Sequence, residues 1–70
     1  MLEERSVIQE EILKALQKER ATYAHPLTSQ KISQMLNINS SYARFQIAHM
    51  RDSIGVRRGK RGGYYLKRKN

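Results

Sequence analysis

The sequence contains no cysteine among its 70 residues, which excludes a disulfide framework and a metal site built on thiolates. No apolar run approaches the roughly 20 residues that a membrane-spanning helix needs. Residues 1–5 are mostly charged and lack the apolar stretch of a secretory signal peptide. These absences predict a soluble, intracellular protein, and the length allows one small domain with one thin core.

Acidic residues are also scarce, and the charges are unevenly distributed. The chain has 6 Asp and Glu against 14 Lys and Arg, a formal net charge of +8. All six acids and seven of the basic residues precede residue 57, whereas residues 57–70 contain seven basic residues and no acid. This asymmetry predicts an anionic partner, either a nucleic acid or a membrane surface. A basic tail that only aids solubility is the simpler alternative.

Apolar residues at helical spacing predict three helices. The first covers residues 3–20 and has one apolar stripe, formed by Ile8, Ile12, Ala15 and Leu16. The second is short: it begins after Thr28 or Ser29 and ends at Asn37, a residue that tolerates the left-handed conformation. The third covers residues 41–53, and its predicted buried positions are Ala43, Ile47, Met50 and Ile54.

The C-terminal part predicts a β-hairpin. Its strands are residues 54–58 and 63–67, joined by a turn at residues 59–62. Three glycines, Gly59, Gly62 and Gly63, stand where a positive φ is expected. An extended Leu27, directly after Pro26, is expected to form a very short strand.

This order of elements resembles the winged helix-turn-helix family. The residues that carry the resemblance are 28–38, then Ala43, Ile47 and Met50, then 55–56 and 63–66. It covers about residues 6–67 and implies an α+β, mostly helical fold, with three helices and a C-terminal β-hairpin wing. It also implies a single domain at residues 1–67 and a basic end at 68–70. The family often has glycine where this chain has Asn37.

In this family the helix after the turn usually lies in the DNA major groove, and its exposed residues are therefore candidate contacts. In this chain they are Ser40, Ser41, Tyr42, Arg44, Phe45 and Gln46. Arginine suits guanine or phosphate, glutamine suits adenine, and serine suits phosphate oxygens. Phe45 lies opposite the predicted buried positions, where it can meet thymine methyls or stack on a base. Packing under the wing or in a dimer is the structural alternative.

The wing supplies a second set of candidates, in which Arg57, Arg58, Lys60 and Arg61 surround the turn. Arginines on a narrow loop suit a narrow minor groove, where the negative potential is enhanced. A solvated basic hairpin without a partner is the alternative. Thr28, Ser29 and Lys31, at the start of the second helix, are further phosphate candidates, although helix capping explains them equally well.

The sequence has few residues that could bind a metal ion or catalyse a reaction. His25 and His49 are the two histidines, with no cysteine and no close cluster of acids beside them, so we expect no metal site, no cofactor and no catalysis. The leading hypothesis is a double-stranded DNA-binding protein, cytoplasmic and nucleoid-associated. It would be a small transcriptional regulator, for example a repressor, or a chromosome-associated protein.

Other functions stay open at the level of sequence. RNA binding is the second hypothesis, and a protein-interaction module using Val7, Leu13 and Phe45 is the third. Membrane association ranks last, because the basic end has no apolar anchor. A homodimer on two half-sites is also left open.

Overall fold

Three helices and two strands follow one another within residues 7–67. The computed structural model describes residues 7–67, so the predicted helical residues 3–6 and the basic end at 68–70 lie outside the described residues. The elements are α1 (Val7–Lys18), α2 (Ser29–Leu36), α3 (Ser40–Ala48), β1 (Ile54–Arg57) and β2 (Gly63–Leu66). The predicted fold class, mostly helical with a C-terminal hairpin, is confirmed. Within residues 7–67, no helix combines the length and hydropathy that crossing a bilayer requires.

One hydrophobic core joins all the elements. α1 packs against α2, α3 and β2, with its predicted stripe facing them. The fully buried large side chains are Ile12, Leu16, Ile32, Ile47 and Ile54. Each is worth about 1.5–3 kcal/mol relative to leaving it in water. The helices and the hairpin are therefore held together by shared packing, since the chain has no cysteine to form a disulfide.

Both α1 and α2 end in the same backbone motif, with one residue in the left-handed region. Arg20 (φ 53°) and Asn37 (φ 57°) occupy this position. After Arg20, the Ala21 amide donates to Leu16 O at 2.9 Å, and after Asn37, the Ile38 amide donates to Ser33 O at 3.0 Å. These bonds satisfy carbonyls at the helix ends. Ala21 is buried and Ile38 packs on the core, so each helix end also directs the chain inward.

Arg20→Gly is expected to stabilise the domain by about 0.5–1 kcal/mol. A left-handed residue with a Cβ costs roughly 1–2 kcal/mol, and glycine removes this cost while adding about 0.5–1 kcal/mol of chain entropy in the unfolded state. The melting temperature should rise by about 2–8 °C in a circular dichroism melt. Lys14→Gly, inside α1, is the matched control and should lower stability by about 1 kcal/mol. A fall for Arg20→Gly would contradict the assigned conformation.

α3 is shorter than predicted. The prediction of a helix over residues 41–53 is wrong at its end, because the structure ends the helix at Ala48. Residues 49–53 form tight turns, in which the Met50 amide donates to Ile47 O at 2.9 Å and the Ser53 amide to Met50 O at 2.9 Å. These turns direct Ile54 into the core as the first residue of β1. The four predicted buried positions are nevertheless all buried.

Side-chain caps begin both helices of the helix-turn-helix. Thr28 Oγ1 accepts from the Lys31 amide at 3.0 Å at the start of α2, which selects Thr28 from the two predicted caps. Asn39 Oδ1 accepts from the Ser41 amide at 2.7 Å at the start of α3. Each cap of this kind is worth about 1 kcal/mol. Two caps and one left-handed asparagine thus fix the turn between α2 and α3.

The hairpin has the predicted register and gains the short third strand. β1 pairs antiparallel with β2, and Leu27 forms a bridge to Tyr64 on the other side of β2. Gly59 has the expected positive φ (109°), but the expectation is wrong for Gly62 and Gly63. A side chain at either of these two would collide with a backbone oxygen. The three paired segments tie the hairpin to the connection between α1 and α2.

Candidate nucleic-acid interface

The exposed side of α3 is aromatic. Ala43 and Ile47 are buried on the inner side of the helix. On its exposed side, Tyr42 is 45% exposed and Phe45 is 58% exposed. His49, directly after the helix, places its ring 4.7 Å from that of Phe45, and its Nδ1 donates to Phe45 O at 2.9 Å. We call Tyr42, Phe45 and His49 the aromatic face. It presents three exposed aromatic rings to solvent at the place where the sequence predicted contacts with DNA.

A basic cleft lies between α3 and the hairpin. Three arginines, Arg44, Arg51 and Arg58, line it, and we call it the arginine cleft. The other lining residues are Ile47, Ala48, Val56 and Tyr64. No acidic side chain is among them, so three like charges share one concave surface. Guanidinium groups form paired, charge-assisted hydrogen bonds with phosphate oxygens, so the cleft is suited to a phosphate group.

A second cleft brings the tip of the hairpin to the start of α2. Thr28, Lys60 and Arg61 line it, together with residues 24–26 and Gly62. Two of the predicted hairpin cations thus lie beside one of the predicted phosphate contacts of α2. Lys31 and Ser41 are exposed, whereas Ser29 and Ser40 are half-buried at the first positions of their helices.

Arg57 does not join the other hairpin cations. Its guanidinium lies 4.8 Å from the centre of the Tyr23 ring, and its Nη1 donates to Tyr23 O at 2.8 Å. Tyr65 meets the same ring edge-on, with the ring centres 5.6 Å apart. A cation on an aromatic face contributes about 0.5–1 kcal/mol at an exposed site. Arg57 thus attaches the hairpin to the connection before α2.

Gln46 is also placed apart from the other predicted contacts of α3. It is half-buried, and its Oε1 accepts from Gln9 Nε2 at 2.9 Å. Gln9 belongs to α1, so this side of α3 faces the protein. The aromatic residues therefore lie together on one side of α3, and the arginines lie together in the cleft between α3 and the hairpin. Gln46 lies apart from both, between α3 and α1.

One solved structure gives the comparison that decides the fold. CymR (YrzC), the global cysteine regulator of B. subtilis, superposes on this chain with a TM-score of 0.67 at 20% sequence identity. The match covers 93% of this chain. The chain has the winged helix-turn-helix fold. No protein-family profile matches the sequence, and no curated protein matches it significantly.

In this winged helix-turn-helix, α2 and α3 form the helix-turn-helix and the hairpin is the wing. The arginine cleft is the junction between α3 and the wing, and the aromatic face is the outer side of α3. The chain spans about half of the CymR chain, with 53% covered. The likeness therefore concerns the winged helix and does not extend to the rest of CymR.

Three residues of the site were missed by sequence reasoning: His49, Arg51 and Tyr23. Arg51 lies seven residues after Arg44, a spacing that returns to the same side of a helix, so this signal was available. Tyr23, which holds Arg57, gave no signal, because the contact joins residues 34 apart in sequence. Among residues 7–67 there is no group of three or more histidines or acids that could hold a metal ion.

Proposed function

We propose that this protein binds double-stranded DNA, as a small transcriptional regulator or a chromosome-associated protein that acts at the nucleoid. The observation that carries the proposal is the arginine cleft. Three arginines line it and no acidic residue does, between the two elements that a winged helix can set against a duplex. Such a cluster is electrostatically unfavourable alone and favourable around a phosphate.

The proposed mode of binding assigns each surface a part. α3 lies in the major groove with its aromatic face toward the base edges, and the arginine cleft holds backbone phosphates beside it. The wing tip, with Lys60 and Arg61, follows the minor groove or the next phosphates. Thr28, Ser29 and Lys31 at the start of α2, together with Ser40 and Ser41 of α3, form a second line of phosphate contacts. Arg57 and Gln46 support the surface from within.

The general role of regulator has one further support. CymR is described as a global regulator, and the two proteins share the winged helix. We transfer only this general role, since the identity is 20% and half of CymR has no counterpart here. A homodimer on two half-sites would be detected by a binding selection from a random duplex library, which reports the motif and its symmetry together.

The salt dependence of binding tests the proposal. Five cations line the two clefts: Arg44, Arg51, Arg58, Lys60 and Arg61. If each neutralises one phosphate, log affinity should fall with log salt with a slope of about −4.5. Fluorescence anisotropy measures this slope on a labelled duplex of about 24 base pairs and mixed base composition, between about 50 and 200 mM KCl.

A competition experiment completes the test. Unlabelled duplex DNA of the same length should displace the probe at a much lower concentration than a structured RNA does. The reason is that A-form RNA has a deep, narrow major groove that a helix cannot enter. Equal displacement by RNA would favour the RNA-binding alternative. A slope near zero would reject the electrostatic basis of the proposal.

A further inference from the structure

The aromatic face contains no lysine, arginine, aspartate or glutamate, although it belongs to a strongly basic chain. Arg44 is the one charged residue within α3, and it lines the arginine cleft rather than the aromatic face. The cations that flank α3 lie on the wing side, at Arg51 and Arg58. Affinity for phosphate and contact with the base edges are therefore separated on two sides of one helix.

The chemistry of Phe45 restricts what it can face in a major groove. Its ring has no hydrogen-bonding group, and it is 58% exposed. A base edge made of donors and acceptors would lose water on contact with this ring without gaining a hydrogen bond, which is unfavourable. The apolar group among the base edges of the major groove is the C5 methyl of thymine. A methylated cytosine places a methyl group at the same carbon.

The neighbours of Phe45 favour such a contact. His49 packs its ring against Phe45 and is itself fixed by its hydrogen bond to Phe45 O. An aromatic ring held in one orientation loses little entropy when it covers a methyl group. Tyr42 extends the exposed surface along the helix, at 45% exposure. The arginine cleft beside it matches the phosphates that border the groove.

We propose that the aromatic face recognises the C5 methyl groups of pyrimidines in duplex DNA, with Phe45 as the central contact. This inference rests on the proposed function and gives it a specificity. The preferred sites then contain thymine, or 5-methylcytosine, under the middle of α3. Uracil-containing duplexes and unmethylated G·C duplexes bind more weakly, although their backbones carry the same charge.

The test uses four defined 20-base-pair duplexes. One contains A·T pairs in mixed order and the second has uracil in place of every thymine; the third contains G·C pairs and the fourth has 5-methylcytosine in place of cytosine. The methyl-bearing duplex of each pair should bind more tightly, by about fourfold for each methyl group in contact. Anisotropy competition against one labelled duplex measures both ratios at a fixed salt concentration.

Phe45 variants assign the effect to the aromatic face. Phe45→Ala should bring both ratios close to one, while Phe45→Leu should retain most of the preference because it keeps apolar contact area. Both variants should fold, since Phe45 is exposed. A methyl preference that persists in Phe45→Ala would overturn the proposal, because another group would then be responsible.

Three further outcomes bear on this inference and on the proposed function. Equal binding of the thymine and uracil duplexes, with the salt slope intact, overturns methyl recognition and leaves duplex binding standing. Binding of none of the four duplexes overturns both. Tighter binding to single-stranded oligothymidine than to the duplex would replace methyl recognition with base stacking, and would also overturn the proposal.

Discussion

Alanine at Arg44, Arg51 and Arg58 together is expected to weaken duplex binding about 500-fold at 0.1 M salt. Each phosphate contact releases about 0.9 of a counterion, which is worth roughly eightfold in affinity at 0.1 M relative to 1 M salt. The three arginines line one cleft without an acid, so none of them is neutralised there by the protein. The slope of log affinity against log salt should become less steep by about 2.7. Anisotropy titrations at several salt concentrations measure both quantities.

A matched control separates the cleft from the net charge of the chain. The control variant removes an equal number of positive charges, three, from α1 and the residues after it, by Lys14→Ala, Lys18→Ala and Arg20→Gly. Since Lys14 and Lys18 lie beside α2 at a different groove, the slope should stay within about 0.5 of the unsubstituted protein. Equal losses in the two triple variants would mean that binding follows total charge, and would remove the cleft from the proposal.

The fold could be predicted from the sequence because local signals agreed with the packing. The apolar stripe of α1, the left-handed Asn37 and the glycine turn of the wing each have a local cause, and the structure contains all three. The predicted end of α3 was wrong, because Met50 and Ile54 are buried at the same sequence positions whether a helix or a series of tight turns carries them. Periodicity alone does not distinguish them, whereas the hydrogen bonds do.

The candidate site was less predictable, because it depends on which neighbour each side chain meets. Arg57 and Arg58 are adjacent, so in an extended segment they point to opposite faces, and this much was available from the sequence. The position of Tyr23 could not be predicted from the sequence, because the connection between α1 and α2 carries it to Arg57 at the end of β1. Gln46 was likewise separated from solvent by Gln9 of a different helix.

Ile47→Ala is expected to lower the free energy of unfolding by about 2–5 kcal/mol. Ile47 is 1% exposed and belongs to the same core cluster as Ile32 and Ile54, so alanine leaves a cavity that the neighbours fill only in part. A domain of this length has about 4–10 kcal/mol of stability in total. The melting temperature should fall by about 8–40 °C, measured by circular dichroism.

Phe45→Ala, on the opposite side of α3, is the control for this variant and should change stability by less than about 0.5 kcal/mol. Ile47 also lines the arginine cleft, so a direct effect on binding has to be separated from the effect on folding. If its role is packing, duplex affinity well below the melting temperature should stay within a few-fold of the original, and binding should disappear as the helical signal does. A melt like that of the unsubstituted protein would contradict the packing of α3 against the core.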